Sequence, residues 1–105
     1  ALLAVGADPN ARDSQGATAL IRAVGKGHAA VADLLLEHGA DPNAQDKDGT
    51  SALMEAVSSN HNALIQALIS HHADPALRDG EGHTAADLAR SRGNNEAVAL
   101  LGAGT

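Results

Sequence analysis

The chain has 105 residues, no cysteine and no Phe, Tyr or Trp, so we expect one compact domain without disulfides or thiolate metal sites. Its formal net charge of −6 argues against nucleic acid, and no aromatic ring is available to stack on single-stranded bases. No apolar run could span a membrane and no signal peptide is visible, so we expect no membrane partner and a cytoplasmic location.

A period of 33 residues organises the chain. Gly-Ala-Asp-Pro-Asn-Ala at 6–11 returns at 39–44, and a weaker copy stands at 72–77. The first copy shares 16 of 33 positions with the second, and the second shares 10 of 33 with the third. Such a period is typical of stacked repeats. The predicted divisions of the single domain are a stub at 1–12, repeats at 13–45 and 46–78, and a C-terminal capping repeat at 79–105.

The stub comes first in the chain. It carries Leu2 and Leu3 and matches only the last turn of a second helix. We therefore expect this chain to be a fragment of a longer stack. Leu2, Leu3 and Leu20 are expected to lie near a poorly covered end.

Each repeat is then predicted to form an extended finger between two turns. Asp-Pro pairs at 8–9, 41–42 and 74–75 favour a turn, because Asp suits its first position and Pro presets the next φ. A second turn is indicated by an in-phase Asp followed by Gly: Asp13 and Gly16, Asp46 and Gly49, Asp79 and Gly82. We expect these Asp side chains to accept backbone N–H groups.

A short helix should follow each finger, near 19–25, 52–58 and 85–91. Thr18, Ser51 and Thr84 stand where N-caps belong, and Asp87 completes a capping-box-like pair with Thr84. The predicted inward faces are Leu20, Ala23 and Val24; Leu53, Ala56 and Val57; Ala86 and Ala89. The predicted helix ends are Gly27, Asn60 and Gly93.

A longer second helix completes each repeat. Its predicted buried stripes have i, i+3, i+4 spacing: Val31, Leu34 and Leu35; Leu64, Ala67 and Leu68; Ala97, Leu100 and Leu101. Gly39 closes the first copy, and His72 stands in its place in the next. If His72 is left-handed, it costs roughly 1 kcal/mol relative to glycine.

The repeat resembles the ankyrin repeat, whose 33-residue unit joins a turn to two helices. Residues 13–20 look like the family's D-x-x-G-x-T-P-L, Gly27-His28 like its G-H, and 35–41 like its L-L-x-x-G-A-D. The resemblance covers nearly the whole chain. It implies an all-α solenoid of stacked helix-turn-helix units with finger-like turns.

Two positions depart from the family motif. Alanine replaces the Pro of T-P-L-H in all three copies: Ala19, Ala52 and Ala85. Other residues replace its His: Ile21, Met54 and Asp87. In the family this His ties neighbouring repeats through hydrogen bonds, so part of that network is expected to be missing here.

Six histidines raise the possibility of a metal site: His28, His38, His61, His71, His72 and His83. His28 and His61 share one repeat position, and His38 and His71 share another. Equivalent positions in stacked repeats lie about 8–10 Å apart, whereas zinc ligands lie about 2 Å from the metal. Adjacent His71 and His72 would make only a weak site, so we predict no metal and no cofactor.

Carboxylates raise the possibility of acid–base catalysis. The finger Asp recurs in every copy, which favours a structural role because one catalytic site needs only one copy. No Ser/His/Asp arrangement or phosphate-binding loop is indicated. We therefore predict no catalytic residue, no enzymatic activity and no small-molecule substrate; a small metal-dependent enzyme is the least favoured alternative.

Positions that vary between copies are the candidates for recognition, since the invariant ones build the repeat. The resemblance implies that finger and first-helix positions line a concave groove that contacts partner proteins. The predicted partner-binding residues are Arg12, Ser14, Gln15, Arg22, Lys26, Gln45, Lys47, Asp48, Thr50, Glu55, Ser59, Arg78, Glu81 and His83.

The basic side chains have a one-sided distribution. All seven Lys and Arg fall on predicted fingers, first helices or their ends. We expect the groove to be less negative than the back and to favour partners with acidic or polar patches. The predicted function is a non-catalytic protein-binding module, monomeric, in a regulatory or inhibitory part of a longer protein. The alternative is a structural spacer or oligomerisation element that associates through its open N-terminal end.

Overall fold

The computed structural model describes residues 10–101. The expectations for Leu2, Leu3 and an open N-terminal end lie outside this range. Within it the structure has six helices: α1 (Ala19–Gly25), α2 (Ala29–Glu37), α3 (Ala52–Ser58), α4 (Asn62–Ser70), α5 (Ala85–Ser91) and α6 (Asn95–Leu100). None of these helices is long and apolar enough to cross a membrane.

The helices pack in pairs, and the pairs stack. α1 packs against α2, α3 against α4, and α5 against α6. α3 also contacts both α1 and α5, while α4 contacts α6. The first helices thus form one layer and the second helices another, which confirms the predicted all-α stack of helix-turn-helix units.

The first helices have the predicted bounds, because their caps act locally. The hydroxyl oxygens of Thr18, Ser51 and Thr84 accept N–H groups three residues on, at 3.2–3.3 Å. In α5 the Thr84 N–H also donates to Oδ2 of Asp87 at 3.1 Å, which confirms the capping box. In α3 the Ser51 N–H points at Sδ of Met54, 3.5 Å away.

Left-handed residues end the helices where the sequence places them. Gly27, Asn60 and Gly93 have φ of 75°, 60° and 69°. Gly39 has φ 92°, and His72, at the equivalent position, has φ 72°. His72 therefore adopts the conformation that glycine accepts at lower cost.

The core lies between the two layers. Seven of the eight predicted inward residues of the first helices are buried: Leu20, Ala23, Val24, Leu53, Ala56, Val57 and Ala89. Ala86 is only half-buried, because no further helix pair packs beyond α5 in the described part of the chain. Ala85 is buried, as is Ala52 at the equivalent position of α3. Ile21 and Met54 are also buried, and Leu20, expected near a poorly covered end, is 1% exposed.

The buried face of the second helices differs from the predicted stripe. Leu35, Leu64, Leu68, Ala97 and Leu101 are buried as predicted. The half-buried members of the predicted stripe are Val31, Leu34, Ala67 and Leu100. The buried residues outside it are Ala32, Leu36 and Ile65. Each second helix packs against its own first helix, and α4 and α6 also pack against each other, so the buried face turns away from the single stripe.

Candidate partner-binding groove

Three fingers (residues 12–18, 45–51 and 78–84) stand beside the first helices. In the first, Oδ1 of Asp13 accepts the N–H groups of Gln15 at 2.8 Å and Ala17 at 3.0 Å. The same bonds form at 2.9 Å in the other fingers, from Asp48 and Thr50 to Asp46 and from Glu81 and His83 to Asp79. The predicted structural role of the recurring Asp is confirmed.

Backbone hydrogen bonds join the fingers to one another. The Lys47 N–H donates to the Gln15 carbonyl at 3.0 Å, and the Gly80 N–H donates to the Asp48 carbonyl at 2.8 Å. The approach is close at Gly49, where a Cβ would lie 2.6 Å from the Gly80 nitrogen. The fingers therefore form a continuous, hydrogen-bonded edge.

The side chains of three predicted binding residues donate hydrogen bonds to backbone carbonyls of the fingers. Nη1 of Arg12 donates to the Gln45 carbonyl at 2.6 Å, and Nε2 of Gln45 donates to the carbonyls of Arg78 and Gly49 at 2.7 Å. Nη1 of Arg78 donates to the Gly82 carbonyl at 2.8 Å. Arg12 and Gln45 thus tie neighbouring fingers together, an architectural role that sequence reasoning missed because the bonds span one full repeat.

The other predicted residues divide by exposure. The exposed ones are Ser14, Gln15, Arg22, Lys26, Lys47, Asp48, Glu81 and His83. The half-buried ones are Thr50, Glu55 and Ser59. The fingers and first helices therefore present a row of polar side chains to solvent.

A cleft of about 240 Å³ lies between the second finger and the helices α1 and α3. Its lining residues are Ile21, Arg22, Gly25, Lys26, Asp46 and Glu55. Arg22 is held against the first finger, because its Nε and Nη2 lie 2.9 and 2.8 Å from Oδ2 of Asp13. Glu55 runs over Gly25, where a Cβ would lie 3.1 Å from Cγ of Glu55. The structure thus brings Arg22, Lys26 and Glu55 together around one cleft.

Formal charge separates the two layers. All seven Lys and Arg stand on the fingers, on α1 and α5, or at the C-caps of those two helices. The fingers and the helices α1, α3 and α5 together also carry seven Asp and Glu. The second helices carry Asp33, Glu37 and Glu96 and no basic residue. The face formed by the fingers and first helices is therefore less negative than the second-helix layer, as predicted.

Hydrogen bonds hold three carboxylates of this face in the ionised form. The Arg22 side chain, helped by the N–H groups of Gln15 and Ala17, lowers the pKa of Asp13. The backbone N–H of His83 is the main cause that lowers the pKa of Asp79. For Asp87 the main cause of its lowered pKa is the N–H of Thr84.

Three possible metal ligands that the sequence analysis did not group meet at the third finger. One ligand atom each of Asp79, Glu81 and His83 lies within 4.8 Å of the others. The three residues occupy every second position of the finger, and this spacing could have revealed the group. Oδ1 of Asp79 accepts the N–H groups of both Glu81 and His83, which brings the three side chains together. The turn accounts for the arrangement, and Glu81 and His83 are exposed, so the cluster alone does not indicate a metal.

Comparison with known proteins agrees with this architecture. A family model described as ankyrin repeats (3 copies) matches residues 1–79 and 39–104. A search of curated proteins finds no match. Ankyrin repeats are generally protein–protein interaction modules and are typically non-catalytic. The helix pairs, the hydrogen-bonded fingers and the matched repeats together show that this chain belongs to the ankyrin repeat family.

Proposed function

We propose that this chain is a non-catalytic module that binds a partner protein through its groove face, meaning the fingers and the helices α1, α3 and α5. The carrying observation is that three side chains which differ between repeats line the cleft at the second finger: Arg22 and Lys26, which are exposed, and Glu55, which is half-buried. We also propose a regulatory or inhibitory role, which a module of this kind would exert by covering part of its partner's surface.

The dimensions of the face support a protein partner over a small molecule. The cleft of about 240 Å³ is smaller than ligand pockets, which usually measure about 300–1,000 Å³. The polar row instead extends over all three fingers. A specific protein interface covers about 800 Å² on each partner, and an extended row of side chains supplies such an area more readily than one small cleft.

The hydrogen bonds between fingers support the same proposal. Because the fingers are fixed by backbone bonds and by the side chains of Arg12 and Gln45, their exposed tips need little further ordering when a partner binds. Rigid contact residues reduce the entropic cost of association.

The test compares two purified variants for affinity toward a captured partner, measured by calorimetry. The groove variant changes four side chains to alanine: Arg22, Lys26, Lys47 and Glu55. The matched control changes three exposed side chains of the second helices to alanine: Asp33, Glu37 and Gln66. We expect the groove variant to bind at least about tenfold more weakly, because contact residues at interface centres contribute most of the affinity.

Thermal melts check that both variants are folded, so that a loss of affinity can be assigned to the changed side chains. Because the Asp13–Arg22 pair is exposed to solvent, its loss should change the free energy of unfolding little, so both variants should remain folded. Affinity should also fall with added salt, which screens exposed charges. A partner that binds both variants equally well would show that the groove face is not the interface.

A further inference from the structure

The residue nine positions after the recurring finger Asp differs between the repeats. In the first repeat Asp13 faces Arg22, nine residues later, and the two form an ion pair of 2.8 Å. In the second repeat the equivalent residues are Asp46 and Glu55, both acidic. In the part of the chain that the structure describes, no ion pair is formed by Asp46 or Glu55. The second repeat therefore has the acceptor of this pair without the donor.

Both carboxylates line the cleft of about 240 Å³. Oδ1 of Asp46 is occupied by the N–H groups of Asp48 and Thr50. Its Oδ2 is the atom that corresponds to the oxygen of Asp13 which binds Arg22. By analogy with the first finger, Oδ2 of Asp46 is the oxygen left to bind a cation, as Oδ2 of Asp13 binds Arg22.

The cleft is lined by two basic and two acidic side chains, and one negative charge remains in excess when the Asp13 that pairs with Arg22 is counted with them. The positive charge of Arg22 is neutralised by Asp13. Lys26 is exposed at the C-cap of α1 and is opposed by two carboxylates, those of Asp46 and Glu55. Two like charges facing one space repel each other, and a cation placed between them removes that repulsion.

We infer that this cleft receives the guanidinium of an arginine from the partner protein, between Asp46 and Glu55. An arginine fits because its planar fork can donate to two carboxylates at once, whereas a lysine is a compact, strongly hydrated point charge. Arg22 provides the template within the same chain, since it donates from both Nε and Nη2 to Asp13. This inference rests on the proposed function and adds one basic contact to a partner whose other contacts, from the charge of the groove face as a whole, are expected to be acidic or polar.

The experiment uses a blocked glycine–serine peptide with one central arginine, titrated into the nitrogen-15-labelled chain and followed by NMR. Matched peptides carry citrulline, which keeps the shape without the charge, or lysine, or glutamate. We expect the arginine peptide to shift the amide signals of Gly25, Asp46 and Glu55. It should bind about tenfold more tightly than the citrulline peptide, because a hydrogen-bonded charge is lost in the latter.

Two variants locate the site. Glu55→Arg should fill the cleft with the chain's own guanidinium, as Arg22 does in the first repeat, and should abolish the peptide shifts. The matched control is Glu37→Arg on α2, which makes the same charge change on an exposed residue of the other layer and should leave the shifts unchanged.

Any of four results overturns the inference: equal affinity for the arginine and citrulline peptides, tighter binding of the lysine or glutamate peptide, unchanged binding by Glu55→Arg, or absence of any peptide binding. If a captured partner is still lost when Arg22, Lys26, Lys47 and Glu55 become alanine, only the arginine inference fails. If that partner is retained, the proposed function fails as well.

Discussion

The junction between the first two helix pairs provides the sharpest test of the packing. Gly27 has φ 75°, and alanine in this left-handed conformation costs about 1–2 kcal/mol, of which about 0.5–1 kcal/mol is offset by lower entropy of the unfolded chain. The added Cβ would lie 2.8 Å from Cε1 and 2.9 Å from Nε2 of His61. These atoms are the far end of a half-buried side chain, so displacing the ring adds about 1 kcal/mol, the low end of the cost of overpacking. We therefore expect Gly27→Ala to lower the free energy of unfolding by about 1.5–2 kcal/mol, a measurable part of the roughly 5–15 kcal/mol of a domain.

Urea denaturation followed by circular dichroism measures this loss. Gly39→Ala is the matched control, because Gly39 is also left-handed but a Cβ there would meet nothing within 4 Å. It should cost only the backbone part, about 0.5–1 kcal/mol. In a His61→Ala background, the loss from Gly27→Ala should fall to the same value. Equal losses for Gly27→Ala and Gly39→Ala in the unmodified chain would refute the steric role of His61.

Three further predictions concern stability. His72→Gly should raise the free energy of unfolding by about 0.5–1 kcal/mol in urea melts, since it relieves a left-handed residue with φ 72°; a loss of stability would contradict this. Ser51→Ala removes a buried cap that accepts the Met54 N–H and should lower the melting temperature by about 4–8 °C, the equivalent of about 1 kcal/mol; an unchanged melt would exclude the capping role. Lowering the pH below about 4 should reduce the urea midpoint, because the pKa values of Asp13, Asp79 and Asp87 are lowered in the folded chain. The stability that these three carboxylates contribute is complete above the ordinary aspartate pKa and is lost as the pH falls through their folded pKa values. A triple Asp→Asn variant should show a weaker pH dependence, and an identical dependence would count against these three groups.

The sequence predicted the local structure because local chemistry determines it. Thr18, Ser51 and Thr84 begin the first helices by accepting an N–H three residues on. Asp46 closes its finger with bonds two and four residues on. Groups this close along the chain meet whatever the repeats do elsewhere. The fold class and the helix bounds were therefore predictable without knowledge of how the pairs stack.

The candidate site was less predictable. The sequence identified Arg22, Lys26 and Glu55 as variable positions, and the structure places all three at one cleft. The same criterion also selected Arg12 and Gln45, whose side chains bridge neighbouring fingers. Variation between copies shows which positions the repeat leaves free, but it does not show which donors reach a neighbouring repeat.

The sequence by itself determined the 33-residue period, the turns, the caps and the family. Tertiary structure alone decided the buried faces of the second helices and the charge pattern of the cleft. Ala32 and Leu36 are buried while Leu34 is half-buried, because the rotation of α2 depends on every element that packs against it. Asp46 and Glu55 face one cleft because the second finger stands beside α3, in the arrangement that pairs Asp13 with Arg22 in the first repeat. Contacts between residues far apart in the chain depend on how the repeats stack, which no local pattern specifies.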